Sequence, residues 1–393
     1  MSETVVIAGA GQAGFQTAAS LRQAGHAGRI VLVGDERELP YQRPPLSKGY
    51  FKDGRPERLL FRNADFYAKN RIELRLGTRI ETIDRPGRRL LLEGGAVEPY
   101  DHLVLALGAR NRRPPVEGLD LAGVLELRSL ADADAMRRRA AEASHVIIIG
   151  GGFIGLEAAS VFRSAGLAVT VLEAGPRLMG RAVSEAVSDY FLAAHRAAGA
   201  VVRLSTFARR VLGEVGRVTG VELSDGTILA ADTVLLAAGV VPNSELAERA
   251  GLAVGNGILT DRLLSTSDPA ISAIGDCAAV PQGAEGPHLR LESVQAAVDQ
   301  AKCLAERLAG RPAPYARAPW FWSDQGSHKL QIAGLATGAE TVEVAGSPEE
   351  GRLVVTSRAG GRVVRVETVN AAAEHIAARR AMEAALAEPA VAL

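Results

Sequence analysis

Cysteine is almost absent. Two thiols in 393 residues, Cys277 and Cys303, exclude a disulfide framework and suggest a reducing compartment. Neither has a Cys or His at close sequence spacing, so no metal site is expected. An excess of one charge is missing too. Lys+Arg 45 balances Asp+Glu 45, which leaves no global field to recruit nucleic acid or an anionic membrane, and any charged partner must meet a local patch. Lysine occurs at only five positions (Lys48, Lys52, Lys69, Lys302 and Lys329) beside many arginines, a bias that reads most simply as genomic base composition. No apolar run approaches the ~18 residues of a membrane span. The N-terminus enters its first strand within a few residues, without a basic region followed by an apolar one, so no signal peptide is expected and the cytoplasm is the expected location. Hydrophobic residues at 47% and charged residues at 23% are ordinary globular values, and the length suits two or three domains.

The richest stretch is the opening one. A strand, Val5-Val6-Ile7-Ala8, runs into Gly9-Ala10-Gly11-Gln12-Ala13-Gly14. A G-x-G-x-x-G between strand and helix is a dinucleotide fingerprint: Gly9 permits the tight turn, Gly11 lets the backbone approach a pyrophosphate, and Gly14 lets the helix pack on its strand. The pattern predicts a helix over 15–24 and a strand over 29–33. Asp35 follows about twenty residues past the last glycine, where an acid hydrogen-bonds a ribose hydroxyl.

The plan then repeats. A strand at Val146-Ile147-Ile148-Ile149 is followed by Gly150, Gly152 and Gly155, a helix over 156–164, a strand over 168–172 and the acid Glu173. HLVLALGAR (102–110) and DTVLLAAGVVPN (232–243) are matching apolar strands that end in glycine. Between the fingerprints, PYQRPPLSK (40–48) reads as irregular and extended because of its adjacent prolines, and 58–99 reads as short strands and turns. A strand over 271–274 ends at Gly275-Asp276, where an acid can bond sugar-like hydroxyls. Ser293 is a good N-cap for a helix over 293–309. After Pro319 the pattern changes to hairpin strands at 330–335, 341–346, 352–357 and 362–370, closed by a helix over 371–387.

With PYQRPPLSK, ALGAR, GGGFIGLE, AIGDCA, ESVQ and FWSDQ present in order, the chain resembles the FAD-dependent NADH:ferredoxin reductases of bacterial oxygenase systems, over about residues 4 to 385. The resemblance implies an α/β fold with two Rossmann-like nucleotide-binding domains of the two-dinucleotide-binding flavoprotein type plus a small α+β C-terminal domain. It sets the FAD domain at 1–112 and 240–318, the NAD domain at 113–239 and the C-terminal domain at 319–393. Electrons would pass from NADH through non-covalent FAD to a 2Fe-2S ferredoxin that serves an oxygenase, often a haem monooxygenase.

The same resemblance assigns residues. FAD would take Gly9, Gly11 and Gly14, with the Gln12 and Ala13 amides at the pyrophosphate and Asp35 at the adenosine ribose. Arg43 would help to hold the cofactor and Lys48 would lie beside flavin N5. The main chain of Ile80 would meet the adenine, Ala106 and Arg110 would line the cofactor, and Arg128 would reach it across the domain crossing. Gly275 and Asp276 would serve the ribityl chain, the Val294 amide would face the flavin pyrimidine, and Trp322 would lie against the isoalloxazine edge. NADH would take Gly150, Gly152, Ile154, Gly155 and Gly239, with Glu157 near the nicotinamide carboxamide and able to pair with Lys48. Glu173 would hold the adenosine ribose of NADH, favouring it over NADPH, with Arg181 near that end and Arg177 close enough to blur the choice. Lys48, Glu157 and Trp322 are the candidate catalytic residues.

Disulfide reductases of this plan carry C-x-x-x-x-C on the helix that reaches the flavin, whereas this chain has Pro44-Pro45-Leu46-Ser47-Lys48 there. Rival readings are an NADH oxidase, a rubredoxin reductase, or an apoptosis-inducing-factor-like protein whose NADH-bound state is a binding surface. Ferredoxins of these systems are acidic, so docking is expected to use a basic patch drawn from Arg290, Arg317, Lys329, Arg379 and Arg380.

Overall fold

A computed structural model describes residues 3–283 and 286–387, and the chain divides into two units. One comprises Met1–Gln42, Glu57–Arg110 and Val241–Pro319, and the other Arg43–Pro56, Asn111–Val240 and Trp320–Leu393. The proline-rich piece beginning at Arg43 groups with the second.

The chain starts with β1 (Val5–Ala8), α1 (Gln12–Gln23) and β2 (Ile30–Val33), then adds β3 (Ile72–Arg75) and β4 (His102–Leu105). In the second unit it forms β5 (Val124–Leu125), β6 (His145–Ile149), α2 (Phe153–Ser164), β7 (Ala168–Leu172), α3 (Glu185–Ala197), β8 (Val201–Arg203) and β9 (Thr233–Leu236). These strands make a parallel sheet in the order β8-β7-β6-β9-β5. The chain then returns to the first unit with β10 (Ile271–Ala273) and α4 (Val294–Leu308), completing a parallel sheet in the order β10-β4-β1-β2-β3.

Both sheets are apolar on two faces, which is why their strands read as unbroken hydrophobic runs. Val5, Ile7, Ile30 and Leu32 pack with Phe15 of α1 and Leu304 of α4, while their alternate neighbours Val6, Ala8, Val31 and Val33 pack with Leu103, Leu105 and Ile258. In the second unit Ile147, Ile149, Leu172 and Val234 share a core with Val211 and Val221 of an overlying antiparallel layer. Each such fully buried aliphatic contributes roughly 1.5–3 kcal/mol.

The C-terminal part is an antiparallel sheet of β11 (Trp320–Gln325), β12 (His328–Gly334), β13 (Thr341–Ser347), β14 (Arg352–Ala359) and β15 (Arg362–Val369), in the order β11-β12-β15-β14-β13, followed by α5 (Ala372–Ala387). Strand β11 is additional to the four expected hairpin strands. Its inward residues, Ser323 and Gln325, are polar and fully buried, so it shows no apolar alternation.

Three other expectations need correction. The PYQRPPLSK stretch is not extended throughout: Tyr41 makes a bridge to Leu60, but Pro44–Ser47 form a 3-10 turn and Gly49–Asp53 an α-helical turn. Proline suits a first helical turn, where no intrahelical N–H partner is needed. The 58–99 region contains the short helix Ala64–Lys69, capped by Asn63, whose Oδ1 accepts from the Phe66 amide at 3.2 Å. Six residues are too few to display a helical period. Finally, α1 and α2 start three residues before the expected positions, immediately after the middle glycine of each triplet.

Candidate functional site

Each parallel sheet presents the same loop at the end of its central first strand. Gly9 and Gly150 have φ +115° and +118°, and a Cβ on them would meet the carbonyl oxygens of Ala106 at 2.1 Å and Ala237 at 2.3 Å. Gly14 and Gly155 let their helices close onto the turn, since a Cβ there would lie 1.8 Å from Gly9 O and 2.2 Å from Gly150 O. The middle glycines differ. A Cβ on Gly11 or Gly152 would meet nothing within 4 Å, so packing within the protein does not require glycine there, whereas a ligand lying on the backbone does. Both are N-caps without a side-chain cap hydrogen bond, leaving the first-turn amides of two twelve-residue helices aimed at that space. Donors, dipole and clearance suit a pyrophosphate in each unit.

The acids after the second strands are not in equivalent positions. Ala8 pairs with Val33 and Ile149 with Leu172, so the register place of Glu173 is held in the first unit by Gly34. A Cβ on Gly34 would come within 2.6 Å of Ala10 Cβ. The acid therefore moves one residue outward, to the exposed Asp35. Glu173 is pinned: Oε2 accepts from Gly151 N and Oε1 from Gly175 N, both at 2.7 Å. Arg177, expected to blur nucleotide choice, is committed to the carbonyls of Val183 and Gly180 at 2.6 Å each. Arg181 is exposed, with its guanidinium 3.5 Å from a Cβ built on Gly239. Ile154 lies half-buried in the first turn of α2.

In the first unit the end of β10 comes to the first loop. Gly275 has φ +72°, its amide donates to Gln300 Oε1 at 2.7 Å, and a Cβ on it would be 3.1 Å from Ala13 Cβ. Asp276 follows directly. Ser293 caps α4, accepting from Ala296 N at 3.0 Å, so the Val294 N–H is the first of the helix and has no carbonyl one turn back. Ala106 is buried at the strand end and Ile80 is half-buried on its own strand. Arg110 is exposed and turned to its own unit, donating to Asn243 Oδ1 at 3.1 Å and pairing with Glu245 at 2.6 Å. Burial pushes the Cys277 thiol up to about 11, and it also raises that of Cys303. Neither is a thiolate at neutral pH, so neither is poised as a redox nucleophile.

In the second unit Glu157, 5% exposed in the second turn of α2, collects three donors. Lys48 Nζ lies 2.8 Å from Oε1, Ser323 Oγ donates to Oε1 at 2.6 Å, and Ser47 Oγ donates to Oε2 at 2.5 Å. The Lys48–Glu157 pair was expected, whereas the two serines were not singled out. Their signal was available in the adjacency of Ser47 to Lys48 and in the polar inward face of WFWSDQ. Arg43 Nη1 donates to the Arg128 carbonyl at 2.7 Å, which ties the start of the proline-rich segment to the loop before the 130–140 helix. Trp322 is half-buried with its ring 5.5 Å from that of Trp320, and Phe321 packs on Phe153 at 4.5 Å.

Two of the five residues expected to supply basic charge for docking are committed within their own units. The Arg290 side chain is only 8% exposed and pairs with Glu292 at 2.6 Å, and Arg379 lies over the Trp320 ring at 4.2 Å. Arg317, Lys329 and Arg380 are exposed. Among the described residues no helix is long and apolar enough to cross a membrane, and no group of His, Cys, Asp and Glu could hold a metal ion.

Comparison with known proteins agrees with this arrangement. Residues 3–301 match the family model described as pyridine nucleotide-disulphide oxidoreductase, and residues 320–393 match one described as reductase C-terminal. The chain is 48% identical over 379 residues to rhodocoxin reductase of Rhodococcus erythropolis, covering 96% of this chain and 88% of that protein. Among solved structures it is similar to the ferredoxin reductase for the CYP199A2 system from Rhodopseudomonas palustris, with TM-score 0.93, 49% identity and coverage of 95% and 93% of the two chains. The reductase in the covalent putidaredoxin reductase–putidaredoxin complex gives TM-score 0.94 at 37% identity, with coverage of 97% and 93%.

Proposed function

The chain belongs to the pyridine nucleotide-disulphide oxidoreductase family, and from that premise we propose that it is a flavoprotein reductase carrying electrons from NADH to a 2Fe-2S ferredoxin of an oxygenase system. The observation that carries the two-nucleotide reading is the pair of uncapped glycine loops, each with open space over its middle glycine. The ferredoxin reading rests on relatives named as reductases of small redox proteins, matched over nearly the whole chain. The oxygenase served would be a monooxygenase, of haem type, or a dioxygenase. When bound, FAD supplies the redox chemistry by taking hydride from the nicotinamide and releasing electrons singly.

The chain's own residues bind, orient and balance charge. The first turn of α1 and Asp35 hold the pyrophosphate and ribose of FAD, Asp276 holds its ribityl chain, and the N-terminus of α4 supports negative charge at the flavin pyrimidine. The first turn of α2 and Glu173 hold the adenosine half of NADH. Lys48, fixed by Glu157, supplies the cation that orients the nicotinamide as hydride leaves it. Trp322 would supply an aromatic face for a bound ring.

Stopped-flow reduction by NADH tests these roles. Lys48→Ala should keep its flavin, because the pyrophosphate contacts are untouched, yet reduce it on the order of 10²-fold more slowly. An unchanged rate at unchanged flavin content removes Lys48 from the mechanism.

A further inference from the structure

Strand β11 buries polar residues where a one-sided sheet buries apolar ones. Ser323 and Gln325, two positions apart, share its inner face at 0% and 1% exposure. Gln325 Oε1 lies 2.9 Å from Nε2 of His195 on α3, Gln325 Nε2 donates to Ser323 Oγ at 3.3 Å, and Ser323 donates to Glu157. An amide oxygen can only accept, so His195 Nε2 carries the proton. The second hydrogen of the Gln325 amide points to Met179 Sδ at 3.5 Å, which opposes a flip. Burial pushes the His195 pKa down, keeping the ring neutral with a single N–H.

Every link therefore donates in one direction, His195 to Gln325 to Ser323 to Glu157, and hydrogen bonds so aligned polarise one another. The chain ends on a carboxylate whose burial is tolerable only while its oxygens are satisfied. Lysine is a flexible point charge with rotatable donors, so Lys48 is as well placed as the carboxylate it meets. We propose that His195, Gln325 and Ser323 are positioning residues, a directional hydrogen-bond chain that fixes the Glu157 carboxylate and through it the Lys48 ammonium. This rests on the role given above to the Lys48–Glu157 pair.

The test compares Ser323→Ala, Ser323→Thr and Glu157→Gln with the unaltered protein. In the apoprotein, acylation of Lys48 by an amine-reactive reagent, read by peptide mass spectrometry against Lys52, should rise several-fold in Ser323→Ala and return to the original level in Ser323→Thr. In the holoenzyme, the limiting rate of reduction at saturating NADH should fall on the order of 10-fold in Ser323→Ala, with little change in KM, and should recover in Ser323→Thr. Nitrogen-15 NMR of the unaltered protein should show His195 protonated at Nε2 and bare at Nδ1, a result that requires no variant to fold. A bare Nε2 overturns the chain. So does a Ser323→Ala protein with unchanged Lys48 acylation and unchanged reduction while Glu157→Gln is slow. Normal reduction in Glu157→Gln overturns the reading of the pair itself and the chain with it.

Discussion

Glu173 is the single residue to which we assign cofactor choice. Its two oxygens already hold the amides of Gly151 and Gly175, so the carboxylate is fixed before any nucleotide arrives. It can accept from a ribose 2′-hydroxyl and repels a 2′-phosphate. Arg177 is occupied by backbone carbonyls and offers no compensating cation. NADH should therefore exceed NADPH in kcat/KM, and Glu173→Ala should narrow the ratio by about tenfold, equivalent to ~1.4 kcal/mol of discrimination. Equal kcat/KM values in the unaltered enzyme would remove this role from Glu173.

At the scale of elements, the glycine loops make a prediction that separates folding from binding. Gly11→Ala adds a methyl to open space at φ −79°, so the protein should fold with its stability changed by no more than ~1 kcal/mol, yet fail to retain FAD. Gly14→Ala drives a methyl against Gly9 O and should not give folded protein. Gly152→Ala should keep the flavin and raise KM for NADH. Flavin content by absorbance and folding by circular dichroism check all three, and full FAD occupancy in Gly11→Ala would contradict the pyrophosphate assignment. The two loops were legible in the sequence because their strands are buried on both faces and their glycines punctuate a helix start. What was hidden had other causes: the 64–69 helix is too short for a period, the turn at Pro44–Ser47 uses prolines where they are tolerated, and β11 hides its role by turning Ser323 and Gln325 inward. The Lys48–Glu157 pair came from motif matching. Ser47 and Ser323 lie 110 and 166 positions from Glu157, so although each left a local signal, no local pattern shows that the two share one carboxylate.

At the scale of the molecule, buried histidines contribute to the response to acid. Burial, reinforced by Arg307, pushes His102 from its ordinary 6.5 to about 4, and burial with Arg379 does the same to His375. A folded-state pKa below the unfolded one means that the unfolded chain takes up protons first as pH falls. This stability is complete above about 6.5 and is lost progressively down to about 4. Melting temperature should drop over that interval, and His102→Asn should flatten the dependence by about 1.4 kcal/mol per pH unit. A dependence identical in the variant would show that His102 is not a contributor. Docking should also depend on charge, although with Arg290 and Arg379 committed the effect falls chiefly to the exposed Lys329 and Arg380. Added NaCl should slow turnover with ferredoxin more than with ferricyanide, and a parallel decline would exclude electrostatic docking. The central claim, that electrons leave NADH for a 2Fe-2S protein, is tested most directly by anaerobic mixing of the FAD-loaded enzyme with one equivalent of NADH and excess ferredoxin, following both chromophores. The account predicts bleaching and recovery of the flavin with two ferredoxins reduced per NADH. A flavin that NADH reduces but ferredoxin leaves reduced, and that only air reoxidises, would contradict it.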